Sequence, residues 1–251
     1  MENTTYRPGY YGKKRQSVAE WVELNIKKYG ADALENEEEK AKPAIHPTIC
    51  ISRKIGSGAL EIADYLGAII KYRVIDRELL EHMAKDAHLS EKIVGLYDER
   101  YPGRTGELFS MLISEKTFIK SDYARQLVKT VTALAGSEPT IFVGRGTHLI
   151  LPKKDVLSVR IIGSREFRVE RITAIRNLKK TEAQKQLDIW DAEQAEFFKA
   201  VYGKKETTPD EFELVINMDH VRGVFQAAKI IECAFKLKFG EEKFETFTIR
   251  S

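Results

Sequence analysis

The chain has 251 residues, 43% of them hydrophobic and 31% charged, with a formal net charge of +3. That is enough apolar material for a buried core, and the near-balanced charge argues against a dedicated nucleic-acid binder. No apolar run approaches the ~20 residues that cross a bilayer, and Met1 to Tyr6 lacks the basic start of a secretory signal, so a cytoplasmic location is expected.

The first 47 residues differ from the rest. Tyr6 to Gly12 is rich in Tyr, Gly and Pro, after which Val18, Trp21, Val22, Ile26 and Tyr29 recur at helical spacing until Gly30. This predicts one amphipathic helix, suited to docking on its own core, on a sister subunit in a homo-oligomer, or on a partner. A charge run from Glu35 to Lys42, closed by Pro43 and Pro47, reads as a linker.

From residue 48 the pattern alternates. Strand-like runs near 48–52, 72–75, 140–143, 156–162 and 213–217 are separated by helical stretches near 59–69, 77–86, 106–135, 165–178, 183–202 and 220–238. The last helix shows an apolar stripe of Val221, Val224, Phe225, Ala228, Ile231 and Phe235. The expected fold is α/β, a parallel sheet flanked by helices over 48–240, with a tail at 241–251. Cys50 in a strand and Cys233 in a helix read as small buried hydrophobes.

Function in such sheets lies beyond the carboxyl ends of the strands. The first strand breaks at Gly56-Ser57-Gly58 and resumes with helical spacing, which aims backbone N–H groups and a helix dipole at one point, as a phosphate-binding loop does. The same tripeptide also makes ordinary strand-to-helix turns. Ala59 and Leu60 stand where the common phosphate loop carries its Lys and its magnesium-binding hydroxyl. Other strand ends carry Asp76-Arg77-Glu78, Gly144-Arg145-Gly146 and Asn217-Met218-Asp219. Arg145 between glycines suits a phosphate, or a carboxylate partner; Asp76 suits the same ligand site, or a helix N-cap. The five histidines have no metal spacing, no G-x-S-x-G elbow surrounds Ser57, and Phe197, Phe198 and Tyr202 read as core.

The ordered series Ile51-Ser52-Arg53 with Gly56-Ser57-Gly58, Val74 to Leu80, Ile141 to Gly146, Val159 to Ile162 with Glu166 to Arg171, and Phe212 to Asn217 resembles the cytidylate kinase-like family of P-loop proteins, over residues 48 to about 238. The resemblance implies a five-stranded P-loop NTPase-type sheet, an acceptor-binding segment after strand two and a helical lid between strands four and five. It implies ATP with Mg²⁺ on Gly56, Ser57 and Gly58, with Arg168 beside them. Arg53 and Arg171 take catalytic roles, and Asp76 and Arg145 hold a monophosphate acceptor. Lys54 stands where relatives tend to carry an acid or amide, and is a candidate replacement for the missing loop lysine. Arg165 reads as a solvated helix-face residue beside Glu166. No metal ligands are assigned, Ser57 and Glu61 being the nearby candidates. Ala59 departs from the family, as do Glu193 and Gln194, which replace arginines in the stretch from Asp191 to Ala195. The implied activity is transfer of the ATP γ-phosphate to a CMP- or dCMP-like acceptor. The alternative is a catalytically degenerate relative that binds a nucleotide or phosphate as a sensing or interaction module.

Overall fold

A computed structural model describes residues 45–86, 88, 90, 91, 93–95 and 121–240. The helix expected over 18–29, most of the linker and the tail at 241–251 lie outside the described residues.

The first strand, β1 (Thr48–Arg53), is buried along its whole length. The apolar and β-branched start, Thr48 to Ile51, marks a strand covered on both faces, as parallel sheets require, and the buried Ser52 and Arg53 follow at its carboxyl end. It leads through the Gly56-Ser57-Gly58 turn into α1 (Ala59–Ile70), followed by β2 (Arg73–Ile75), α2 (Arg77–Lys85) and α3 (Asp122–Ser137). Then come β3 (Thr140–Val143), β4 (Val156–Ile162), α4 (Arg165–Arg176), α5 (Lys180–Tyr202), β5 (Leu214–Asn217) and α6 (Val224–Phe239).

All five strands are parallel, in the order β2-β3-β1-β4-β5. β1 is therefore central, with Ile49 beside Ile141 of β3 and Leu157 of β4. Alternate strand residues feed opposite layers. Ile49 and Ile51 pack with Leu66, Ile70, Ile231 and Phe235 of α1 and α6. Cys50 and Phe142 pack with Leu80, Met83, Leu127 and Val131 of α2 and α3. Because every strand points the same way, all carboxyl ends share one edge, and the candidate site is built there.

Three expectations are corrected. The long helix expected over 106–135 is not continuous: Ser121 has extended backbone (φ −107, ψ 156) and its hydroxyl accepts from the Ala124 N–H, so the described helix starts at Asp122. In α6, Ala227, Ala228, Ile231 and Phe235 make the buried stripe, whereas Phe225 is 48% exposed and meets the Tyr65 ring edge-on, at 6.0 Å between centroids. Phe225 lies one residue, about 100° of helix rotation, from the inward-facing row. Cys233 is exposed rather than buried, for the same rotational reason, while Cys50 is buried as expected.

Candidate active site

The phosphate-loop segment is held by its neighbours in chain and sheet. The Lys54 N–H donates to the Ile161 carbonyl at 3.0 Å, and the Ser57 N–H to that of Lys54 at 3.2 Å. Gly56 and Gly58 adopt φ +85 and +86, conformations that L side chains resist. Space adds a second requirement. A Cβ on Gly56 would lie 3.1 Å from Ile172 Cδ1, and one on Gly58 would lie 3.2 Å from the Arg171 guanidinium. The turn buries the Ser57 hydroxyl at the N-terminus of α1, where it has no hydrogen-bond partner among the described residues. An unanswered hydroxyl, left-handed glycines and a helix N-terminus together form a cradle that a phosphate oxygen fits.

The residues after the cradle do different work. Ala59 and Leu60 are buried in the α1/α6 core, so they supply neither an ammonium nor a hydroxyl to the loop. Lys54 reaches Glu206, 3.2 Å away, with both side chains well exposed. Glu61 pairs with Arg171, whose guanidinium lies against Gly58. Burial pushes the Glu61 carboxyl up, against the opposing pull of Arg171. Buried Arg168 donates to the Ile55 carbonyl at 3.3 Å and to both oxygens of Asp191, at 3.0 and 2.8 Å. Arg165 is exposed, as expected, and pairs with Asp188 of α5. One turn of spacing along α4 thus sends three arginines to three carboxylates, two on α5 and one on α1.

Beside the loop, the ends of β1, β2 and β3 and the inner face of α5 enclose a cavity of about 20 Å³. Its wall includes Ser52, Arg53, Arg77, Arg145, Gln194 and Phe197. Arg145 reaches it through a left-handed run, with φ of +92, +54 and +66 at Gly144, Arg145 and Gly146. The Tyr202 hydroxyl donates to the Arg145 carbonyl, and a Cβ on Gly146 would lie 2.5 Å from the Tyr202 ring. The guanidinium lies over the Phe197 ring, 3.8 Å from its centroid, and pairs with Glu81 of α2. Burial, and then the charges of Arg77 and Arg53, push it down to about 8, so three cations crowd one small space. Such crowding is relieved by an anion.

The other cations are oriented as firmly. Arg53 Nη1 donates to Gln194 Oε1 at 2.9 Å, while Gln194 Nε2 donates to the Arg53 carbonyl at 3.1 Å. Arg77 lies 3.7 Å from Glu81. Arg160 of β4 donates to the Ser52 hydroxyl at 2.6 Å.

Of the sequence-level candidates, Arg53 and Arg145 meet in this cavity, while Gly56, Ser57, Gly58, Arg168 and Arg171 gather around the loop. Lys54 is held by Glu206. Asp76 caps α2, accepting from the Leu79 N–H at 2.9 Å, and does not line the cavity. Its neighbour Arg77 does, as do Gln194, expected only as the replacement of a lid arginine, and Phe197, expected as core. Arg77 was signalled by its position at the same strand end. Gln194 and Phe197 lie more than 100 residues further on, on α5, and nothing local ties them to β1.

The sequence profile of the cytidylate kinase-like family matches residues 48–220. No curated protein matches the chain. A crystal structure of an uncharacterized protein from Eubacterium ventriosum superposes with a TM-score of 0.57 at 18% identity, covering 76% of this chain and 98% of that one. This likeness is one of fold alone. Shikimate kinase from Bacteroides thetaiotaomicron aligns at 13% identity over 76% of this chain and 96% of its own, with a TM-score of 0.39 that carries no argument.

Proposed function

The chain belongs to the cytidylate kinase-like family, and from that premise we propose that it is a phosphotransferase that moves the ATP γ-phosphate to a CMP- or dCMP-like acceptor. One observation carries this reading: Arg53, Arg77 and Arg145 converge on a single cavity beside the glycine loop. Three guanidinium groups around one cavity suit a dianionic phosphate monoester, and the planar guanidinium forks match its oxygens.

The donor phosphates would lie on Gly56 to Gly58, where the unpartnered Ser57 hydroxyl and the α1 N-terminus face them. Arg168 and Arg171 stand beside that loop. With a donor bound, each would exchange part of its contact with Asp191 or Glu61 for a phosphate oxygen, bringing positive charge to the transferring group. Magnesium fits less well. Leu60 offers no hydroxyl and Glu61 is engaged by Arg171, which leaves the loop only the Ser57 hydroxyl, short of a protein-borne metal site.

That mismatch favours a second reading, in which the chain binds a nucleotide or other phosphate as a sensing or interaction module without transferring it. Glu193 and Gln194 at the lid positions point the same way, because a lost transition-state arginine costs about three or more orders of magnitude in rate. The deciding experiment is ADP production from Mg-ATP with CMP, dCMP, UMP, AMP and GMP as acceptors, with Arg145→Ala as control. Acceptor-dependent turnover that falls at least about a hundredfold in the variant supports the kinase and identifies its acceptor. Absence of turnover together with retained phosphate binding supports the sensing module.

A further inference from the structure

We infer that Phe197 is a positioning residue whose ring face holds the Arg145 guanidinium at the cavity wall while leaving the N–H donors around its edge to other partners, an incoming anion among them. The inference rests on reading the cavity as a phosphate site.

The five N–H groups of an arginine lie in the guanidinium plane and radiate from its edge, so a contact on the face uses none of them. In Arg145 the face is used by Phe197: Cζ lies 3.8 Å from the ring centroid, well inside the ~6 Å over which a ring attracts a cation. At the edge, Glu81 takes Nη2, while Nε is buried and has no hydrogen-bond partner among the described residues. A buried donor without a partner costs stability that a ligand oxygen restores. Arg145 and Phe197 both line the cavity, so the donor and its support belong to one site.

The ring is itself fixed. Phe197 meets Tyr123 of α3 edge-on at 6.2 Å, and Phe198 and Tyr202 of its own helix edge-on at 5.9 and 6.1 Å. Tyr202 also donates to the Arg145 carbonyl, so α5 holds this arginine at its backbone and at its guanidinium. An unrestrained Arg has many rotamers, and holding it before the ligand arrives removes that ordering cost from binding. The chemistry of the support matters too. A carboxylate at 197 would take N–H donors and add negative charge where an anion enters, and an aliphatic side chain would give bulk without attraction. A ring face is negative above its plane, and it favours the cation where burial, and then Arg77 and Arg53, push Arg145 down.

The test uses sulfate as the probe, titrated into the full chain by calorimetry at pH 7, with thermal melts to show that each variant is folded. Phe197→Tyr keeps the ring and should bind within about twofold of the wild type. Phe197→Leu keeps apolar bulk but removes the ring face, and should weaken sulfate about five- to tenfold. Fluorinated phenylalanines at 197 supply a readout that packing does not move. Mono-, di- and trifluorinated rings keep the shape while draining charge from the face, so affinity should fall stepwise along the series. A flat series, or a Phe197→Leu variant that binds sulfate like the wild type, would overturn the positioning role and leave the anion cavity standing. A wild-type chain that binds neither sulfate nor phosphate, or an Arg145→Ala variant that binds sulfate as the wild type does, would overturn both.

Discussion

His148 follows β3 with its ring centroid 4.5 Å from that of Phe212 and its Nε2 3.7 Å from Glu211, too far for a hydrogen bond. Burial dominates and pushes it from 6.5 down to about 4. The folded protein therefore keeps this imidazole neutral while the unfolded chain protonates it. The stability it contributes is fully present above pH 6.5 and is lost as pH falls toward 4. At about 1.4 kcal/mol per pH unit over that window, the loss is on the order of 3 to 4 kcal/mol. Urea unfolding of His148→Phe, which retains the ring contact, should show a flatter stability profile across that window than the wild type. Identical profiles would contradict the assignment. The two thiols differ just as plainly. Burial pushes Cys50 up to about 12, whereas Cys233 is exposed on α6. A maleimide or Ellman titration at pH 7.5 should modify one thiol in the folded protein and both in denaturant. Rapid labelling of both without denaturant would show that β1 is accessible.

At the scale of elements, the turn after β3 couples two helices to the cavity. Gly144, Arg145 and Gly146 are all left-handed, so Arg145 enters the cavity while its carbonyl turns to Tyr202 on α5. Gly146→Ala would put a methyl group 2.5 Å from the Tyr202 ring in a backbone conformation that already disfavours Ala. The expected cost is about 2–3 kcal/mol from strain and overpacking. Sulfate binding should fall with it, because Tyr202 can no longer hold the Arg145 carbonyl. A variant with unchanged melting temperature and anion affinity would mean that this contact does not position the arginine. The pairings of α4 are similar in kind: side chains three residues apart on one helix reach Asp188, Asp191 and Glu61 on two different helices.

At the scale of the molecule, what the sequence discloses follows the range of the interaction. The five strands appear within one or two residues of their expected bounds, because each is a short run of apolar and β-branched residues that ends at a turn, although only β1 and β3 are buried throughout and β2 and β5 are partly exposed. The glycine loop and Arg145 are legible too, since both lie at strand ends. Phe225 is misread because a helical stripe has a direction that only packing decides. Arg77, Gln194 and Phe197 join the cavity through contacts between elements far apart in the chain, and residue type alone does not announce them. The same long range bears on how the protein is made. β1 is central, yet its ladder partners are residues 141–143 of β3 and 156–161 of β4. During synthesis from the N-terminus, this fully buried strand emerges ahead of both its partners and must wait roughly a hundred residues for a neighbour on either side. Its N–H and C=O groups stay open to other chains meanwhile. Slow refolding and concentration-dependent losses during expression are the expected consequences of placing the phosphate loop on the middle strand.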